Sequence, residues 1–118
     1  MAARRQRLRA PQQEYRDEDG NAIVLRAALT PATRAAYARI HSAEDLAPGA
    51  SREDAWQRAF EFLFERLAVS WTIAGAPPLT RQRELLGRLR LASQDERRWL
   101  HTCLREHCNR FFPDVHAP

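Results

Sequence analysis

The side chains with the most reactive chemistry sit together near the C-terminus, in the run His101-x-Cys103-x-x-x-His107-Cys108. Imidazoles and thiolates are zinc ligands, and a Cys–His pair is the start of a nucleophilic site. Cys103 and His107, four residues apart, share one face of a helix. His101 lies off that face, because two residues turn a helix by about 200°. A closed zinc site takes four ligands; the only other histidines are His41 and His116, and no C-x-x-C pair exists. The pattern therefore predicts no metal. It predicts Cys103 and Cys108 as small core hydrophobes and His107 as a partly buried polar residue. A nucleophile would also need an orienting third group and an oxyanion hole, and burial would raise the Cys103 pKa. Paired carboxylates occur at Glu44-Asp45, in a loop, and at Glu53-Asp54 and Asp95-Glu96, where helix N-termini favour acids. The glycines are scattered, with no phosphate-cradling loop. No catalytic, cofactor or metal site is expected, so the chain does not read as an enzyme.

Charge narrows the classes further. All nineteen basic residues are Arg, and the net charge is +4. With Ala abundant, this is the signature of GC-rich coding rather than of guanidinium chemistry. Arg4, Arg5, Arg7 and Arg9 face no acid within residues 1–10, whereas residues 11–118 hold fifteen Arg against fifteen acids. Within that neutral body, 11–66 carries seven Arg and ten acids, and 67–118 carries eight Arg and five acids. A neutral, bipolar body is a poor nucleic-acid footprint and suits self-association or protein contacts. Cys103 and Cys108 fall on different helix faces and cannot pair locally, which predicts a reduced, cytoplasmic setting. Met1-Ala-Ala-Arg leads into no apolar core, so no secretory signal is expected. No apolar run approaches a membrane span.

The elements that must position these residues follow from turn, cap and periodicity signals. Residues 1–13 read as a flexible basic tail. Asp19-Gly20-Asn21 predicts a turn joining two short strands, about 13–18 and 22–27. Thr30 caps and Pro31 opens a first helix that ends near His41, and 42–50 is a loop. Ser51 to Asp54 opens the principal helix as a capping box. It is expected from Arg52 to Ile73 with Gly75 closing it, and its inward stripe is Trp56, Ala59, Phe60, Leu63, Phe64, Leu67 and Trp71. Phe62, Val69 and Ile73 fall off that stripe and form a second apolar patch. Thr80 is expected to cap a third helix, Arg81 to Leu91. Ser93-Gln-Asp-Glu96 is a full capping box for a fourth, 94–111, with 113–118 fraying. The fold class is mainly α: a four-helix compact domain, residues 14–112, with a short N-terminal β-hairpin.

This layout resembles the small tail assembly chaperones of long-tailed bacteriophages and prophages from GC-rich, actinobacterial-type hosts. The resemblance rests on a D-G-N strand-turn-strand leading into IVLRAALTPATRAAYARI. In it Leu29, Thr30 and Arg34 match an L-T-x-x-x-R helix start. It rests also on SREDAWQRAFEFLFERLAVSWTIAG, where Trp71 matches a central helix ending in Trp. It spans about residues 14–112. The resemblance implies a non-catalytic role in the host cytoplasm: coating the tape-measure protein, recruiting tail-tube subunits, and self-associating as a homo-oligomer. The partner-binding residues expected are Phe62, Val69 and Ile73, with Arg81 and Arg88 facing Glu61 and Glu65. Two other readings compete. One is a small DNA-binding regulator using the Arg tail and helices 81–91 and 94–111. The other is an adaptor or inhibitor binding a host protein.

Overall fold

The computed structural model describes residues 11–41 and 52–118. The basic segment 1–10, the 42–50 loop and the Ser51 cap lie outside the described residues. β1 (Gln12–Arg16) and β2 (Ala22–Arg26) form the expected antiparallel hairpin, with Tyr15 opposite Ile23. Gln12 and Gln13, expected in the tail, belong to β1. The turn is organised by Asp17. Its carboxylate accepts from the amides of Asp19 and Asn21 (both 2.9 Å) and from the Asn21 side chain (2.7 Å). Gly20 takes a left-handed φ of +81°.

α1 (Pro31–His41) starts where Thr30 Oγ1 accepts from the Thr33 amide at 3.1 Å. α2 runs only from Arg52 to Leu67. The expected continuation to Ile73 is corrected, because Ala68–Thr72 is a third strand, β3, antiparallel to β2. The sheet order is β1-β2-β3. Val69, Thr72 and Ile73 are β-branched and suit a pleated surface. β2 also presents a second edge whose backbone groups need partners. That pairing outweighs the helical spacing that placed Trp71 on the α2 stripe; Trp71 is buried on either reading. A bulge between Val24 and Leu25 sets Ser70 and Ala68 opposite consecutive residues, leaving Val69 as the extra one. Bulges absorb the bend where a strand changes direction, and this one lies at the helix-to-strand junction.

Gly75 closes a turn, not a helix. Ala74 and Gly75 have φ of 50° and 75°. The Gly75 amide donates to Gly20 O (3.0 Å), and the Ala74 amide donates to Asn21 Oδ1 (2.9 Å). The two turns approach so closely that a Cβ on Gly20 would stand 3.1 Å from the Gly75 nitrogen. Leu79 then returns along β3, exchanging both backbone hydrogen bonds with Trp71 (2.9 and 2.8 Å). This engagement delays the next helix: α3 spans Gln82–Arg90, with Arg81 as an N-cap that makes no side-chain cap bond. The expected Thr80 cap is thereby corrected. α4 (Gln94–Phe111) has the expected capping box, with Ser93 and Glu96 bonding reciprocally.

The core lies between one face of the sheet and the helices. Ile23, Leu25 and Trp71 meet Ala59, Phe60, Leu63, Phe64 and Leu67 of α2. Leu85 and Leu89 of α3 and Leu100, Cys103, Leu104 and Cys108 of α4 complete it. Trp56 does not belong to this core; it is 48% exposed, and Ala55 takes the buried position in that turn. The tail beyond α4 also differs from the expected frayed end. Phe112, Val115 and Pro118 are buried. Asp114 pairs with Arg34 at 2.9 Å, and the Tyr37 hydroxyl donates to the His116 carbonyl. Apolar burial plus satisfied backbone groups tie this end down. The described fold is mainly α, with four helices packed on a three-stranded sheet rather than on a lone hairpin.

Candidate functional site

The His/Cys run on α4 is brought together with the hairpin, not with a cavity. His107 is fully buried. Its Nε2–H donates to the Arg26 carbonyl at 2.7 Å, so Nδ1 is the acceptor for the Tyr15 hydroxyl, also at 2.7 Å. Both ring nitrogens are consumed, and the ring is held neutral in one tautomer. Burial keeps its pKa below the ordinary imidazole value. Burial, with Glu106 adding to it, pushes the Tyr15 phenol up to about 12. Burial likewise pushes the Cys103 and Cys108 thiols up to about 12. Thiols in this state are poor nucleophiles and poor metal ligands. Among the described residues, no three His, Cys, Asp or Glu side chains are grouped to hold a metal ion. His101 is used differently. It stacks on Phe60 (3.8 Å between ring centroids) and under Trp56 (5.3 Å), while Nδ1–H donates to Pro118 O at 2.9 Å. What the α4 cluster does is fasten β1, β2 and the tail to α4.

The residues expected to bind a partner are scattered by the helix-to-strand break. Phe62 faces α1 from α2, stacked on Tyr37 at 6.4 Å, and the Arg66 guanidinium lies 5.0 Å over the Phe62 ring. Ile73 packs against the core at the end of β3. Arg88 is folded onto the protein: it donates to Glu96 at 2.5 Å and lies 5.4 Å over the Trp71 ring. Arg81 is exposed, 3.9 Å from Glu84. The expected opposition of Arg81 and Arg88 to Glu61 and Glu65 is made by other residues. Glu61 meets Arg90 at 3.6 Å, and Glu65 accepts from the Gln82 amide at 3.2 Å.

Of the predicted set, Val69 lines a groove. The β3 bulge places it in a groove of about 590 Å³ bounded by the end of β2, the N-termini of α1 and α3, and the C-terminus of α2. Leu29, Val69 and Leu85 give the lining apolar side chains, while Arg26, Arg66 and Glu65 give it charge of both signs. Arg26 is itself anchored, donating to the Arg66 carbonyl at 3.3 Å. Arg26 and Arg66 were invisible as groove residues in the sequence, because they come together only when β3 pairs with β2. A smaller cleft of about 340 Å³, lined by Asp17, Asp19, Asp95, Glu96 and Trp99, opens beside the hairpin turn. No known protein family matches the chain, and no curated protein or solved structure matches it. No helix among the described residues is long and apolar enough to cross a membrane.

Proposed function

We propose that this protein is a non-catalytic assembly chaperone of the phage-tail kind. In this reading it binds segments of the tape-measure protein and tail-tube subunits in the host cytoplasm, and it self-associates. The observation that carries the proposal is the groove at Val69. Ligand-binding concavities combine an apolar lining with a few polar groups that orient the occupant, and this groove has the size and mixed rim for a peptide segment. The groups with reactive chemistry, by contrast, are spent on internal fastening. Arg88 is turned onto Glu96 and Trp71, and Arg97 and Arg105 donate to the carbonyls of Arg90 and His101 (both 3.3 Å). Guanidiniums held this way favour a protein-binding reading over a phosphate-binding one.

The test is co-expression with the tape-measure protein of a tailed phage of a GC-rich host, followed by capture and native mass spectrometry. The expected result is a complex that keeps the tape-measure protein in solution. Val69→Asp sets an unpaired carboxylate in the groove and should cut capture about tenfold or more, with the fold retained by circular dichroism. No capture by the wild-type chain would overturn the reading.

A further inference from the structure

Among the described residues, the three-stranded sheet has one edge engaged at Trp71 and one open edge. The outer side of β3 is taken by Leu79, which exchanges two hydrogen bonds with Trp71. On the other side, the amide of Asp17 bonds to Asn21 O (3.0 Å) and that of Ala27 to Pro11 O (2.8 Å). Antiparallel pairs alternate between bonded and non-bonded. Tyr15 and Gln13 therefore turn their backbone groups toward β2, while Gln12, Glu14 and Arg16 turn theirs outward. Among the described residues, the outward Glu14 carbonyl receives the side-chain amide of its own neighbour Gln13, at 3.2 Å on the exposed surface.

Exposed strand edges invite pairing, and charges on them restrict which pairing is allowed. The charges here have opposite sign and stand two residues apart: Glu14 and Arg16, both exposed and paired within the strand at 3.0 Å. We infer that β1 pairs antiparallel with β1 of a second copy of this chain about a two-fold axis at Tyr15, setting Glu14 opposite Arg16 of the second copy and Arg16 opposite its Glu14. The outward backbone groups of Glu14 and Arg16 then gain partners, and each of these two side chains meets its opposite charge across the strand. Sliding the pairing by two residues either way puts Glu14 against Glu14 or Arg16 against Arg16. One register is therefore selected, and the two chains form a continuous six-stranded sheet. Below the edge, Glu106 and Arg110 of α4 lie near enough to Tyr15 to act on its hydroxyl, so the helical side of the edge also carries one charge of each sign. A strand interface in which residues 14–16 of each copy are opposed is small, which sets a weak, concentration-dependent dimer.

This deepens the self-association in the proposed function and rests on that reading there alone. The test is sedimentation velocity of the full chain across a concentration series, using wild type, Glu14→Arg and Arg16→Glu. Both positions are exposed, and circular dichroism verifies folding. Each single variant should weaken dimerisation about tenfold or more, by placing like charges opposite each other twice. An equimolar mixture of the two should form a heterodimer about as strong as wild type, since every cross-strand pair is then opposite in sign. Glu14→Pro, which removes only an outward amide and is tolerated on an edge strand, should also give a monomer. A wild-type chain that stays monomeric overturns the inference. So does a dimer that the single variants leave intact, or a mixture that fails to associate. If dimerisation behaves as described while tape-measure capture fails, the chaperone reading falls and the edge pairing stands.

Discussion

His107 shows how a residue type associated with catalysis becomes a fastener once its surroundings are known. Its two hydrogen bonds, to Tyr15 and to Arg26 O, join α4 to both strands of the hairpin. Tyr15→Phe strands Nδ1 without a donor and should destabilise the protein by about 1–3 kcal/mol, measured by urea denaturation. The same burial makes stability depend on pH. His107 and His101 are held below the ordinary imidazole range, chiefly by burial, so the unfolded chain takes up protons at about pH 6.5 before the folded one does. The unfolded state binds more protons there, and stability falls as pH drops. Melting temperatures should be highest above about pH 7 and should decline steadily between pH 6.5 and 5.5. A flat or rising profile would show that the imidazoles are not the buried neutral groups described here.

Among the elements, β3 decides the architecture. Its five residues convert a marginal two-stranded hairpin into a three-stranded sheet with a covered apolar face, and they carry Trp71 into the core. Trp71→Ala should cost about 3–5 kcal/mol and also release Arg88 from the ring it lies over. Where the hairpin turn meets the Ala74–Gly75 turn, Gly20→Ala combines a positive φ with a contact to backbone. It should cost at least about 1–2 kcal/mol, readable as a lowered midpoint in the same denaturation series. The helix caps divide by their surroundings. Ser93 caps α4 as its local sequence predicts. The Thr80 signal is overridden because Leu79 is engaged along β3 and Arg81 is left at the cap position.

On the scale of the whole molecule, the segment after α4 ties the C-terminal end back onto α1. Val115 and Pro118 are buried, Tyr37 donates to the His116 carbonyl, and Arg34 holds Asp114. A chain ending at Pro113 exposes the surface under Val115 and removes the His116 carbonyl to which the Tyr37 hydroxyl donates. It should unfold at lower denaturant, by at least about 2–4 kcal/mol, from the lost burial of Val115 and Pro118 and the lost hydrogen bonds of Tyr37, His101 and Arg34. Unchanged stability would mean that the tail merely rests on the surface.

The hairpin and its D-G-N turn, the α1 start at Thr30-Pro31, the α4 capping box and the buried Leu and Phe stripe of α2 were all legible in the residues. Each is specified by neighbours within a few positions: a turn needs its own Gly and Asn, a cap its own hydroxyl, a stripe its own period. The end of α2, the place of Trp56 and the fate of residues 113–118 depended on partners far away in sequence. In VSWTI, helical periodicity and β-propensity compete, and the unpaired edge of β2 settles the competition. The same distant pairing dispersed Phe62, Val69 and Ile73, which local spacing had joined in one patch, and left Val69 in a groove with Arg26 and Arg66. Local chemistry determined which segments could form; the tertiary structure decided which surfaces remained open, because backbone groups on a sheet edge are satisfied only by strands the local sequence does not contain.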